Sequence, residues 1–201
     1  PSSLNSYQGL PDALRKKIWK LFVASDILLK QRCRVKPYEA HPGQTQAVFD
    51  EELDRLARVV EKGADFDTEW KRSLQMLEDV PRADIPKKPL VGIVGEIYVR
   101  CNAFCNDRVI ESVERYGGEA WLAPLSEWFL YTAYLQKWRA KEDLMGPVYR
   151  GLSLLKNRYI QGQEHDFYKK ARPWMEDREE PSIESVLDAG REYLPLNFEG
   201  E

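Results

Sequence analysis

The chain has 201 residues, 43% hydrophobic and 31% charged, enough for one substantial domain or two small ones and unlike a disordered composition. A formal net charge of −3 gives no electrostatic reason to expect nucleic acid or an anionic membrane as partner. No run reaches the roughly 18 apolar residues of a membrane helix, and PSSLNSYQGLPD lacks a signal peptide's apolar core, so a cytoplasmic location is the default expectation.

From Pro11 to about Arg32, Leu14, Ile18, Leu21, Phe22, Ser25, Leu28 and Leu29 recur at helical spacing. The segment RVKPYEAHPGQT is a connection, and Thr45 is the expected cap of a second helix with Phe49, Leu53, Leu56 and Val60 on one face. Trp70, Leu74 and Leu77 mark a third helix, ended by VPRADIPKKP. Residues 1–86 thus read as a helical N-terminal region, and 87–201 as a partial α/β lobe with a helical extension.

The lobe opens on KKPLVGIVGEIYVRCNAFCN. Leu90 to Val94 read as a parallel strand buried on both faces, carried on to about Ile97, with Asn102 to Asp107 starting a helix. Val109, Ile110 and Val113 give that helix its apolar edge, and it stops at Gly117–Gly118. Glu119 to Ala123 form a second strand closed by Pro124, so residues 89–123 spell the strand, helix, strand of a parallel crossover. Four helices follow: Trp128, Tyr131, Leu135 and Trp138; Val148, Leu152, Leu155 and Tyr159; Phe167, Ala171 and Trp174; and Ile183, Val186, Leu187 and Tyr193. The fold class is α/β, helix-rich, with strands near 89–97 and 119–123.

Groups at the carboxyl end of the sheet are the candidate ligand site, because open α/β sheets bind there: Glu96, Arg100, Asn102, Asn106, Ser126 and Glu127. Three of them have a plainer reading. Glu96 pairs with Arg100 or with backbone amides, and the two asparagines cap a helix rather than hold an anion on its free N–H groups. Gly92 and Gly95 do not fit the G-x-G-x-x-G of a dinucleotide turn and read as close packing of strand and helix. There is no G-x-x-x-x-G-K-[ST] loop. His41 and His165 have no nucleophile partner discernible in sequence. The set Trp121, Trp128, Phe129, Tyr131, Tyr134 and Trp138 reads as core before it reads as the floor of a pocket. Cys33, Cys101 and Cys105 are an odd and sparse set read as thiols; Cys101 and Cys105, four apart, are the metal-ligand candidates, and a site would need more than those two.

The phrases VGIVGEIYVRCNAFCN and GGEAWLAPLSEWFLYT resemble the 2-hydroxyacyl-CoA dehydratase and benzoyl-CoA reductase family, in particular its large activase-related proteins (CoA-substrate-specific enzyme activase type). VKPYE at 35–39, PGQT at 42–45 and PLNFEGE at 195–201 agree, so the resemblance spans about residues 20–201. It implies Rossmann-like lobes of parallel sheet, iron–sulfur clusters held by cysteines, and ATP-driven electron transfer to an acyl-CoA-type dehydratase or reductase. Relatives carry Asn-Pro-Phe-Ser/Ala-Asn where this chain has Asn102, Ala103, Phe104, Cys105 and Asn106, which puts a role for Cys105 in doubt.

Two expectations follow. The first is an excised piece of such a parent, inactive by itself and without cofactor, with iron–sulfur cluster and ATP belonging to the parent. The second is a non-catalytic binding or assembly module, holding an anionic ligand or a partner at the sheet's carboxyl edge. Expected partners are other domains of the parent or, through open strand edges, a second copy. The scattered cysteines predict a colourless protein that binds no stoichiometric iron or zinc. Anaerobic reconstitution with metal analysis checks this, and a stable brown colour lost in Cys101→Ser or Cys105→Ser refutes it.

Overall fold

The computed structural model describes residues 11–142, 147–175 and 178–193. Its elements are α1 (Asp12–Val35), α2 (Gln44–Lys62), α3 (Phe66–Glu78), β1 (Leu90–Ile93), α4 (Ile97–Cys101), α5 (Val109–Arg115), β2 (Glu119–Leu122), α6 (Leu125–Glu142), α7 (Pro147–Met175) and α8 (Ile183–Gly190), with a 3-10 turn at Lys36–Tyr38. The fold is α/β and helix-rich. β1 and β2 pair in parallel, Leu90 opposite Glu119 and Ile93 opposite Leu122, with α5 in the crossover between them. No described helix is long and apolar enough to cross a membrane.

The main core joins both halves of the sequence. Val23, Ile27 and Leu28 of α1, Phe49 and Leu56 of α2 and Trp70, Leu74 and Leu77 of α3 pack with Leu130 of α6 and Phe167, Ala171 and Met175 of α7. Trp70 sits at its centre, fully buried, meeting Phe167 edge to face at 4.9 Å and donating its indole N–H to the Ala24 carbonyl at 3.1 Å. A smaller core of Cys33, Ile93 and Ala120, with Val109, Ile110 and Val113 of α5 against it, holds the sheet to α1.

Several local expectations are corrected. The strand is shorter and more open than its β-branched run suggests: it ends at Ile93, and only Ile93 is buried while Leu90 and Val91 are exposed. Among the described residues no third strand covers β1, so its side chains meet helices only where α1 and α5 reach them. Gly95, at φ 142°, turns the chain into α4 (Ile97–Cys101), so the strand does not continue to Ile97 as expected. The close packing expected at Gly92 occurs at Gly118, where an added Cβ would lie 2.8 Å from Val113 and 3.2 Å from Val91; nothing approaches Gly92 within 4 Å. Gly117, at φ 85°, makes the left-handed exit from α5.

Thr45 is not the cap of α2. Gly43 takes that position at φ 89°, and the Glu39 carboxylate accepts the N–H groups of Gly43 (2.7 Å) and Thr45 (2.8 Å). The two helices expected around Tyr159 and Phe167 are one, because only Gly162 interrupts the helical pattern and a single glycine costs about 1 kcal/mol, less than a chain break. On α6 the inward residues are Leu130 and Ala133, with Trp128 and Tyr131 half-buried. The Trp138 and Val148 side chains lie outside the described residues.

Trp70→Ala should lower stability by about 3–5 kcal/mol in urea denaturation, through lost burial and the cavity left behind. Leu155→Ala, at an exposed position of α7, should stay within about 0.5 kcal/mol.

Candidate functional site

The side chains brought together at the carboxyl end of the sheet start from α1. Val23, Ile27 and Lys30 lie at spacings of four and three, so Lys30 occupies an inward position, with Asp26 one turn before it. Asp26 accepts the backbone N–H of Leu125 (3.1 Å) and Ser126 (2.7 Å), the free donors of the first turn of α6. Burial nevertheless holds its carboxyl above the usual range, against the pull of those donors. Lys30 pairs with Glu180 and lies 3.3 Å from the Arg178 carbonyl and 3.4 Å from the Tyr168 hydroxyl. Its ammonium stands over the rings of Trp121 (5.0 Å) and Tyr168 (5.2 Å). Burial lowers its pKa, with Glu180 opposing.

Arg100 closes the same end of the sheet. Its guanidinium donates to the Gly95 carbonyl after β1 (3.4 Å) and the Pro124 carbonyl after β2 (2.9 Å), and lies 3.9 Å from Glu127. Burial raises the Glu127 carboxyl, with Arg100 counteracting. At the other end of β2, buried Glu119 accepts from Arg178 and from the Tyr38 hydroxyl (2.9 Å). Arg178 also faces the Trp121 ring at 5.7 Å, so the two charged groups share one aromatic plate.

Beside this cluster is a cleft of about 270 Å³ between Leu130 of α6, α7 and residues 179–184. Glu164, Tyr168 and Glu180 belong to its wall, and Glu180 also accepts the Trp121 indole N–H at 2.9 Å. Burial, reinforced by Glu180, pushes the Glu164 carboxyl up to about 7, with Lys30 working against both. A carboxyl poised there can give or take a proton near neutral pH. Four carboxylates, Asp26, Glu127, Glu164 and Glu180, act on one another here against Lys30 and Arg100, so the arrangement suits proton exchange or a cation better than an anion.

Of the residues expected at the site, Arg100, Ser126 and Glu127 join this cluster. The others serve the backbone. Glu96 is exposed and caps α4 by accepting the Val99 N–H at 2.9 Å, bonds that hold its carboxyl low. Asn102 accepts from Phe104 and Cys105 N–H, and Asn106 donates to the Val99 and Arg100 carbonyls. Asp26, Lys30, Glu164, Tyr168 and Glu180 were missed; the available signal was a lysine on the apolar stripe of α1. His165 lines the cleft from its exposed side.

Cys33 is buried, its thiol pushed up to about 11 by that burial, while Cys101 and Cys105 are exposed. No group of three or more His, Cys, Asp or Glu residues placed to hold a metal is found among the described residues. Iron–sulfur clusters take about four thiolates, and a buried, protonated Cys33 with two exposed cysteines does not compose such a donor set. No family model matches the chain, and no curated protein or solved structure matches it.

The Glu164 environment predicts a pH-dependent stability. Its folded pKa of about 7 stands above the ordinary glutamate value of 4.5, so the folded state binds this proton more tightly than the unfolded chain. The contribution is intact below about pH 4 and is lost as pH rises through 7. Glu164→Gln keeps the site neutral, so at pH 8 it should exceed the parent chain in stability by at most about 3 kcal/mol, with no gain at pH 4. Urea denaturation at both pH values measures this, and parallel pH profiles refute it.

Proposed function

We propose that the chain is a docking lobe of a 2-hydroxyacyl-CoA dehydratase-family, activase-related protein. The parent carries out ATP-driven, iron–sulfur, low-potential electron transfer to acyl-CoA-type enzymes in the cytoplasm, and the lobe itself holds neither cluster nor ATP. Three things support the reading: the phrases VGIVGEIYVR and PLSEW, the parallel β1–α5–β2 unit that a Rossmann-like lobe requires, and the open edge of that unit. The open edge carries the docking part. Leu90, Val91, Val94, Tyr98, Val99 and Phe104 are all exposed in one stretch of chain along β1, α4 and the turn after it, Val94 at 80% and Phe104 at 94%. An edge strand with apolar side chains recruits another strand, and a further strand of the parent is the occupant this reading names.

The second reading, a module that holds an anionic ligand at the sheet's carboxyl edge, has less support. Arg100, the cation it needs, is already committed to two carbonyls and faces Glu127.

For the isolated chain, the same edge predicts self-association. Light scattering should show mass rising toward a dimer with concentration, and Val91→Lys with Val94→Lys should weaken the association at least about tenfold (~1.4 kcal/mol) at an unchanged thermal midpoint. A monomer at every concentration overturns the docking role. The parent reading is tested separately by the gene: further cysteines and a nucleotide-binding ATPase pattern in the same reading frame support it, and their absence overturns it.

A further inference from the structure

Residues 178–184 and α8 form a strap laid back against α6, α7 and β2, and charge more than apolar area holds it down. Arg178 donates to Glu119 of β2 at 3.0 Å, and Glu180 accepts from Lys30 of α1 and, at 2.9 Å, from the Trp121 indole. Arg172 pairs with Glu179 at 2.6 Å, and Gln161 donates to Glu184 at 3.2 Å. Among the described residues of the strap, Ile183 is the one buried hydrophobic side chain, while Val186 is exposed.

The cleft of about 270 Å³ lies under this strap. Leu130, Glu164 and Tyr168 form one wall, and Glu180, Ile183 and Glu184 the other, so lifting the strap returns the Glu164 carboxyl to water. The groups that act on Glu164 come from every side: Asp26 and Lys30 of α1, Glu127 of α6, Glu180 of the strap, and Tyr168 one turn along its own helix. His165, Lys169 and Arg172 of α7 and Glu179 and Glu184 of the strap line the same cleft. Glu164 and Glu180 therefore draw on one ammonium, Lys30, which is also the strap's anchor. With Glu164 neutral, Lys30 is left to Glu180 and Asp26; with Glu164 ionised, a further carboxylate competes for it and repels Glu180. The closed cleft holds the Glu164 proton up to about 7, and water returns that carboxyl toward its ordinary 4.5. Closure is thus favoured at low pH and lost as pH rises through 7.

We propose that residues 178–190 are a proton-gated lid, closed over the cleft while Glu164 is neutral and lifted when Glu164 is ionised, which uncovers Lys30 and Trp121. The device stands independently of the docking-lobe reading. Amide hydrogen exchange of the full chain tests it, read by mass spectrometry at about pH 6 and about pH 8, corrected for intrinsic rates, with α3 as internal reference. A lid linked to one such carboxyl opens up to about tenfold more at the higher pH, so peptides over 178–190 should exchange about three- to tenfold faster there while α3 is unchanged. Glu164→Gln is neutral at both pH values and should remove the difference. His165→Ala, at an exposed position of the cleft, should leave it in place. Circular dichroism checks both folds; should Glu164→Gln not fold, the parent chain and His165→Ala decide. The proposal is overturned by equal strap protection at the two pH values, or by equal acceleration of α3, which is global unfolding. It is overturned as well by a difference that survives in folded Glu164→Gln or disappears in His165→Ala.

Discussion

The bond on which the arrangement depends is that of Asp26 to the first turn of α6. An aspartate inside a helix bundle is costly unless its oxygens are satisfied, and the free N–H groups of Leu125 and Ser126 satisfy both. The same contact places a negative charge at the positive end of an eighteen-residue helix, where the dipole favours it. The exchange is mutual: α1 gains a partner for a buried acid, and α6 gains a fixed starting point directly after β2. With that point fixed, Glu127 is held beside Arg100 and Leu130 is held in the main core.

The charged cluster grows from this anchor by the same logic. Lys30, one turn along, cannot reach water, so it needs an acid, and Glu180 supplies one from the far end of the chain. Glu180 in turn accepts from Trp121 of β2, which ties the 178–184 segment to the sheet. Glu164 is the member left with the least compensation, and its raised carboxyl is the direct result. The buried pairs contribute less to stability than to register: a helix or strand shifted by one position would strand a charge at a cost of several kcal/mol.

The elements were legible where one local pattern decides them. The left-handed turn at Gly117 and the parallel pairing of β1 and β2 follow from spacing and turn chemistry; on α1 the spacing predicts the helix but not its inward face, which is Val23, Ala24, Ile27 and Leu28, while Leu14 and Ser25 of the expected stripe are exposed. What was not legible depends on partners distant in sequence. Whether Val91 is buried depends on how many strands flank β1, which its own sequence does not record. Glu39 takes the capping role from Thr45 because the 3-10 turn folds it back onto α2, a three-dimensional event. Of the site, Arg100, Ser126 and Glu127 were found because they follow strand ends. Glu164 was hidden because it lies on α7 among polar residues that look like ordinary solvent-facing positions, and Glu180 because it lies in the irregular connection before α8.

The anchored helix also connects the charged cluster to an aromatic group on the first half of α1. The Asp26 contact lies at the first turn of α6, and Phe129, four residues after Leu125, stacks on Phe22 at 5.3 Å and meets Trp19 edge-on at 5.9 Å. α1 has the same division of labour, with Trp19 and Phe22 on the aromatic group and Asp26 to Cys33 on the cluster and sheet. Two packed helices held by a buried carboxylate and by aromatic stacking move as a unit, because a close-packed interface has no room to slide by fractions of a turn. A change that loosened the Asp26 contact would therefore alter the position of Phe129 as well as that of Glu127. The carboxyl end of the sheet and the aromatic group around Trp19, far apart in chemistry, share one mechanical frame.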